Sequence, residues 1–102
     1  MSRFVYVNGR FLRRNAAFID IEDRGFQFGD SVYEVIFVSK GNLVDEYGHI
    51  NRLAFSLGEL GIDLPKSPEI ISLLIRELMR LNSLTDGFVY LQISRGAAPR
   101  DH

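Results

Sequence analysis

The sequence predicts an α+β fold, in which a mostly antiparallel sheet carries two helices packed on one side. Three observations lead to this prediction. Short runs of β-branched and aromatic residues occupy both ends of the chain, Asn-Gly and Gly-Asn turn signals separate several of them, and the middle of the chain has apolar residues at helical spacing. Because the chain has 102 residues and a hydrophobic fraction of 46%, we predict a single domain over residues 1–102.

The N-terminal residues predict a β-hairpin. Two short apolar runs, 4–7 and 11–12, flank Asn8 and Gly9. An Asn-Gly pair between apolar runs is the strongest short signal for a hairpin turn. Residues 16–19 then predict a further short strand, which leads into a turn rich in glycine and aspartate.

The next segment contains the strongest strand signal of the chain. Gly25 and Gly29 bound a turn in which both can adopt positive φ, and residues 32–38 follow as a buried strand. Because side chains alternate along a strand, Tyr33 faces one side of it and Glu34 the other. A tyrosine and an acid at the mouth of a buried strand, just after a glycine-bounded turn, are a common way to present polar groups to a ligand. The other interpretation is an ordinary turn that leads into a core strand, where the tyrosine hydroxyl bonds to some neighbouring group. The residues alone leave both interpretations open.

The middle of the chain predicts two helices. Apolar residues recur at helical spacing over 50–60, and Gly61 is placed to end this helix. Ser67 and Pro68 form a typical helix start, with a capping hydroxyl and a proline in the first turn. The helix that follows over 70–81 has more apolar positions than one sheet covers. We predict that the surplus faces another domain or subunit.

The chain ends in a predicted strand, residues 88–93, followed by a polar segment. Pro99 biases the residue before it toward an extended conformation. If the last residues are extended as well, Arg100 and His102 project to the same side, roughly 6–7 Å apart. An arginine beside an imidazole can bind a carboxylate from two directions. The alternative is a frayed polar terminus without a specific role.

The composition argues against several classes of function. A net charge of −1 and a pI near 6.1 give no electrostatic case for binding nucleic acid or an anionic membrane. The lack of cysteine excludes disulfides, a thiol nucleophile and Cys-ligated zinc, and His49 with Asp45 or Glu46 forms no convincing metal-ligand set. Because the sequence has neither a signal-peptide pattern nor a run of membrane-spanning length, we predict a cytoplasmic protein.

Four segments give a further signal when they are considered together. They are residues 6–9, 23–34, 49–53 and 90–102. In this order they resemble the N-terminal domain of class IV (fold-type IV) aminotransferases, which use pyridoxal 5′-phosphate. Within that class, the last segment is most similar to the D-amino-acid (D-alanine) aminotransferases. The resemblance extends over essentially the whole chain and implies the exchange of amino groups between D-amino acids and 2-oxo acids.

The resemblance also implies roles for individual residues. Arg52 matches the residue that binds the cofactor phosphate. Tyr33, Arg100 and His102 match the groups that bind the substrate α-carboxylate, and Arg100 and His102 would act on the neighbouring subunit of a homodimer. Val35 matches a position that lines the substrate pocket.

The same comparison predicts that the chain has no catalytic residue of its own. We interpret His49 as a packing or capping residue and Glu34 as structural. Transamination requires a lysine that forms a Schiff base with the cofactor, and neither Lys40 nor Lys66 matches its position. Both are predicted to be solvated surface lysines. The resemblance places the missing lysine in a larger C-terminal domain, so we expect the 102-residue chain alone to be inactive.

Two alternatives stay open. A branched-chain aminotransferase or an aminodeoxychorismate lyase would share the fold, although the set of Tyr33, Arg100 and His102 disfavours both. The other alternative is a non-catalytic module that dimerises through the surplus apolar surface of its second helix.

Overall fold

The computed structural model describes residues 3–97, which form five strands and three helices. The strands are β1 (Phe4–Val7), β2 (Arg10–Arg13), β3 (Ser31–Ser39), β4 (Asn42–Leu43) and β5 (Gly87–Ser94). The helices are α1 (Arg24–Phe28), α2 (Glu46–Glu59) and α3 (Pro68–Leu81), and one 3-10 turn, Arg14–Ala16, follows β2. This element order confirms the predicted α+β class.

The predicted N-terminal hairpin is confirmed. β1 and β2 pair antiparallel, with Val7 opposite Arg10. The two residues between them, Asn8 and Gly9, have φ values of 50° and 87°, as a two-residue hairpin turn requires. The side chain of Asn82 holds this hairpin at the end of α3, because its amide group donates to the carbonyl oxygen of Phe4 and accepts from its backbone N–H, both at 3.0 Å.

The predicted short strand over 16–19 is wrong. Residues 14–16 form the 3-10 turn, and residues 17–20 have no regular structure. The side chains of Phe18 and Ile19 are 80% and 65% exposed. A strand forms only where a neighbouring strand accepts and donates its backbone hydrogen bonds, and within residues 3–97 no strand pairs with this segment.

A second, three-stranded sheet has the order β4-β3-β5, and both of its pairings are antiparallel. The strands thus form two separate sheets instead of the single predicted one. In the central pair, Glu34 lies opposite Leu91 and Ile36 opposite Val89 on one face, which we call the inner face. The alternate residues of β3 and β5 form the outer face.

Both long helices pack on the inner face. Ile36 is completely buried there, and it forms one hydrophobic cluster with residues of the neighbouring strands and both helices. The other buried members of this cluster are Val38, Ile50, Ile71, Ile75, Met79 and Val89. The predicted arrangement of two helices on one side of an antiparallel sheet is therefore confirmed.

The predicted ends of the long helices are also confirmed. Ser67 caps the start of α3, where its hydroxyl oxygen accepts from the backbone N–H of Ile70 at 3.3 Å. Gly61 follows α2 with a φ of 69°, and the N–H of Ile62 donates to the carbonyl of Leu57 at 2.9 Å, which completes a glycine-terminated helix end. Among residues 3–97, no helix combines the length and apolar character needed to cross a membrane.

The predicted glycine-bounded turn before β3 is instead the short helix α1. Asp23 caps it by accepting from the backbone N–H of Gly25 at 2.8 Å, and Gly29 ends it with a φ of 67°. Both glycines can adopt positive φ, but only the second one does so. Gly25 is needed for another reason, because a Cβ atom there would lie 2.8 Å from the Cβ of Ser94 and 3.3 Å from that of Ser31.

Replacing Gly25 with alanine is expected to lower the free energy of unfolding by about 1–3 kcal/mol, because α1 must move away from the ends of β3 and β5. Gly58 is the matched control. It lies inside α2, a Cβ there meets nothing within 4 Å, and alanine should stabilise the helix by about 0.5 kcal/mol. Urea unfolding of both variants measures the difference, and equal stability of the two would contradict the contact argument.

Candidate functional site

Tyr33 lies on the outer face of the three-stranded sheet, near the start of β3. Its side chain is 61% exposed, and its ring stacks on that of Tyr90 with a centroid distance of 5.6 Å and an interplanar angle of 18°. The Tyr90 hydroxyl donates to the side-chain oxygen of Gln92 at 2.9 Å, and the amide of Gln92 donates to the hydroxyl of Ser31 at 2.9 Å. These contacts connect β3 with β5 beside Tyr33.

The outer face around Tyr33 is rich in exposed aromatic side chains. Val35 follows Tyr33 on this face and lies opposite Tyr90. Further along, Phe37 and Phe88 lie opposite each other and are 62% and 60% exposed. The face therefore combines two phenolic hydroxyl groups with apolar surface, a composition typical of surfaces that contact a ligand or another protein surface.

Glu34 lies on the inner face, directly after Tyr33 in the chain. It is the one charged or polar residue that is buried among those the structure describes, with 5% of its surface exposed. Three hydrogen bonds satisfy its carboxylate. Arg52 of α2 donates from Nε to Oε2 at 2.8 Å and from Nη2 to Oε1 at 2.7 Å, and Nδ1 of His49 lies 2.7 Å from Oε1.

The contacts in this cluster favour the ionised forms of Glu34 and Arg52. The hydrogen bonds from Arg52 lower the pKa of the Glu34 carboxyl to about 2, and the hydrogen bond from His49 adds to that effect, whereas burial opposes it. The carboxylate in turn raises the pKa of Arg52. An ionised carboxylate only accepts hydrogen bonds. We therefore infer that the hydrogen of this bond is on Nδ1 of His49, so that the imidazole N–H donates to Glu34.

Arg52 can bind an anion while it is paired with Glu34. The pair uses Nε and Nη2, which form one edge of the guanidinium group. A guanidinium has five N–H donors, so the other edge keeps a fork made by Nη1 and the second Nη2 hydrogen. The side chain is 65% exposed. Its donor set and exposure therefore fit the phosphate group of a cofactor such as pyridoxal 5′-phosphate.

A second ion pair holds the start of β3. Asp30 accepts from Nε of Arg95 at 2.5 Å, and Arg95 also donates from Nη2 to the carbonyl of Leu60 at 2.6 Å. The hydrogen bond from Arg95 lowers the pKa of Asp30. These contacts join the end of β5 to the residue before β3 and to the end of α2, so they fix the strand start that carries Tyr33 and Glu34.

The structure places part of the predicted site. Tyr33 and Val35 share the outer face, as strand alternation predicts, whereas Arg52 binds Glu34, whose side chain lies on the opposite, inner face of β3. Arg100 and His102 lie outside the described residues. Lys40 and Lys66 are exposed, which confirms their prediction as surface lysines.

Two features of the site do not follow from the sequence interpretation. From the sequence, Glu34 is expected to be structural and His49 to pack or cap, whereas in the structure both residues contact each other and Glu34 also binds Arg52. One signal is present in the sequence. An acid at an inward-facing strand position needs a cationic partner, and a helix places residues three apart, such as His49 and Arg52, on one face.

The sequence is similar to several D-alanine aminotransferases. It is 48% identical over 98 residues to the enzyme of Bacillus licheniformis, a match that covers 96% of this chain and 35% of the relative. The corresponding enzyme of Listeria innocua is 42% identical over 99 residues, with 96% and 34% covered. This chain thus spans about a third of the length of these relatives. No family model matches the chain.

Solved structures share its fold. A branched-chain amino acid aminotransferase complexed with N-(5′-phosphopyridoxyl)-L-glutamate superposes with a TM-score of 0.89 at 21% identity, over 97% of this chain and 35% of that one. A protein of Legionella pneumophila described as a 4-amino-4-deoxychorismate lyase gives a TM-score of 0.78 at 27% identity, over 83% and 31%. The resemblance drawn from the sequence is confirmed: this chain is a homologue of the D-alanine aminotransferases over 96% of its length and has the N-terminal-domain fold of class IV aminotransferases.

Proposed function

We propose that this chain forms the N-terminal domain of a pyridoxal-phosphate-dependent aminotransferase that exchanges amino groups between D-amino acids, such as D-alanine, and 2-oxo acids. The observation that carries the proposal is the identity of 48% to the D-alanine aminotransferase of Bacillus licheniformis over 96% of this chain. The exposed Tyr33 and the outward fork of Arg52 support it, since both are available to groups outside the domain.

In this proposal, each site residue has one task. Arg52 holds the phosphate group of the cofactor, and Tyr33 donates to the substrate α-carboxylate, while Val35 borders the substrate side chain. Arg100 and His102 act across the interface of a homodimer, where they bind the α-carboxylate of the substrate in the neighbouring subunit's site. When bound, pyridoxal phosphate would supply the electron sink for cleavage of the substrate Cα–H bond. The lysine that bonds to the cofactor belongs to a C-terminal domain, so the 102-residue chain alone is inactive.

A chimera tests the proposal. This chain replaces the matching residues of the Bacillus licheniformis enzyme, and transfer of the amino group from D-alanine to 2-oxoglutarate is measured. We expect activity in the chimera. Arg52→Ala should weaken cofactor binding by about tenfold or more, as loss of a charge-assisted contact to phosphate does. Tyr33→Phe should raise KM for D-alanine. Arg80→Ala is the control, because that arginine is exposed and pairs with Glu77 within α3.

Other outcomes would favour the alternatives. Transfer from branched-chain L-amino acids would indicate a branched-chain aminotransferase, and turnover of 4-amino-4-deoxychorismate would indicate a lyase. A chimera that folds and takes up no cofactor, together with an oligomeric isolated chain, would favour the non-catalytic dimerising module. The homodimer and the cytoplasmic location are parts of the proposal, which analytical ultracentrifugation and cell fractionation test.

A further inference from the structure

Glu34 occupies a position where an apolar residue would serve the core at least as well. It points to the inner face, where the next residue on the same side of β3 is the fully buried Ile36. Removing a carboxylate from water is costly, and replacing a buried ion pair by apolar residues is often neutral or stabilising. Packing therefore gives no reason for an acid at this position. Its contacts with Arg52 and His49 do.

Those contacts determine where the guanidinium of Arg52 points. The arginine side chain has several rotatable bonds and is 65% exposed on α2, so packing alone does not restrict it. Two parallel hydrogen bonds to Glu34 fix both the position and the plane of the guanidinium. Glu34 is itself held by β3, which pairs with β5 along its length, and by the third hydrogen bond from His49.

We propose that Glu34 is a positioning residue, which orients Arg52 so that its outer N–H fork is presented to the phosphate group of the ligand, and that His49 orients Glu34 in turn. The inference rests on the proposed function, because there Arg52 is the phosphate-binding residue. It assigns a role in ligand binding to a residue that does not contact the ligand.

Glu34 has two opposing effects on anion binding. Its negative charge lowers the positive potential of Arg52, which weakens the attraction for phosphate. Its hydrogen bonds remove the conformational freedom that Arg52 would otherwise lose on binding, which strengthens it. The outer fork faces water, where charge interactions are strongly screened. We therefore expect the ordering effect to exceed the charge effect. Weaker phosphate binding in Glu34→Gln would show that ordering is larger, and tighter binding would show that charge is larger.

The test uses the 102-residue chain and NMR of arginine side chains. Inorganic phosphate is the probe, because pyridoxal phosphate would also react with Lys40 and Lys66. We expect the Arg52 Nε–H signal to be rigid and slow to exchange, unlike that of Arg80, whose partner Glu77 is exposed. In Glu34→Gln the Arg52 signal should become mobile, and phosphate should bind roughly fivefold more weakly, the typical cost of ordering one flexible side chain.

Two controls separate positioning from general damage to the fold. Glu46 lies on α2, as Arg52 does, and its carboxylate binds Arg76 of α3. Glu46→Gln removes that carboxylate and should leave the Arg52 signal and the phosphate affinity unchanged. In an Arg52→Ala background, Glu34→Gln should have no further effect on phosphate affinity. If Glu34→Gln does not fold, the rigidity of Arg52 relative to Arg80 in the unmodified chain decides the inference.

The outcomes also separate this inference from the proposed function. An Arg52 signal as mobile as that of Arg80, or unchanged or tighter phosphate binding in Glu34→Gln, would overturn the positioning role. If the unmodified chain does not bind phosphate through Arg52, the proposed function loses its phosphate site. The loss of Arg52 rigidity in Glu34→Gln would still support the positioning role in that case.

Discussion

Replacing Ile36 with alanine is expected to lower the free energy of unfolding by about 3–4 kcal/mol, the largest effect of any single substitution considered for this chain. Ile36 is completely buried in the middle of β3 and belongs to the cluster that joins the sheet to both long helices. Alanine would leave a cavity there, and the sheet and the two helices cannot all shift to fill it. A domain of this size is stable by only about 5–15 kcal/mol, so the melting temperature should fall by roughly 15 °C.

The neighbouring residue provides the control. Phe37 is the next residue of β3 but lies on the outer face and is 62% exposed. Phe37→Ala removes more atoms than Ile36→Ala, yet it should cost only about 1 kcal/mol or less, mainly through the lost pair with Phe88. Calorimetry or urea unfolding compares the two. A larger loss for Phe37→Ala would mean that the outer face is covered in solution.

Acidification should remove a second large contribution to stability, the one due to Glu34. The pKa of Glu34 is lowered from 4.5 to about 2 in the folded chain. At about 1.4 kcal/mol for each pKa unit this corresponds to about 3 kcal/mol, and screening of the exposed Arg52 by water reduces the expected value to about 2–3 kcal/mol. Because the folded pKa is the lower one, this contribution is complete above about pH 4.5 and disappears as the pH falls toward 2.

Glu34→Gln isolates this contribution from those of other carboxyl groups. Asp30, Glu46 and Glu77 also have lowered pKa values, so the unmodified chain loses stability in acid through several groups. The variant keeps those groups but cannot titrate at position 34. We expect it to be less stable than the unmodified chain at pH 7 and nearly equal to it at pH 2. A constant difference across this range would show that the Glu34 carboxylate does not carry the effect.

Much of the fold could be predicted from the sequence because its signals are local. The Asn8-Gly9 pair specifies a turn whatever surrounds it, and Ser67 with Pro68 starts a helix by satisfying the first backbone N–H groups. The strand predicted over 16–19 is wrong because strand formation depends on a partner strand, which no local pattern specifies. The helix α1 escapes prediction because it has five residues, one of them a glycine, and depends on its contact with Ser94.

The candidate site also has one part that the sequence predicts and one part that it does not. The shared face of Tyr33 and Val35 follows from alternation along one strand, so the sequence is sufficient for it. The cluster of Glu34, His49 and Arg52 joins a strand to a helix across 15 to 18 residues of chain, and its geometry depends on how α2 packs on β3. Its members could be suspected from their residue types, but their contacts could not be derived from spacing alone.

The alternation of β3 has a consequence for how the chain selects its native pairing. A shift of one residue between β3 and β5 would turn every side chain to the opposite face. Tyr33 would enter the core, Glu34 would lie among the exposed aromatic rings, and Ile36 would face water. Misregistered chains therefore lose their hydrophobic contacts together with the ion pair to Arg52. The packing energy that selects the correct register of β3 and β5 therefore also places the binding side chains on their correct faces.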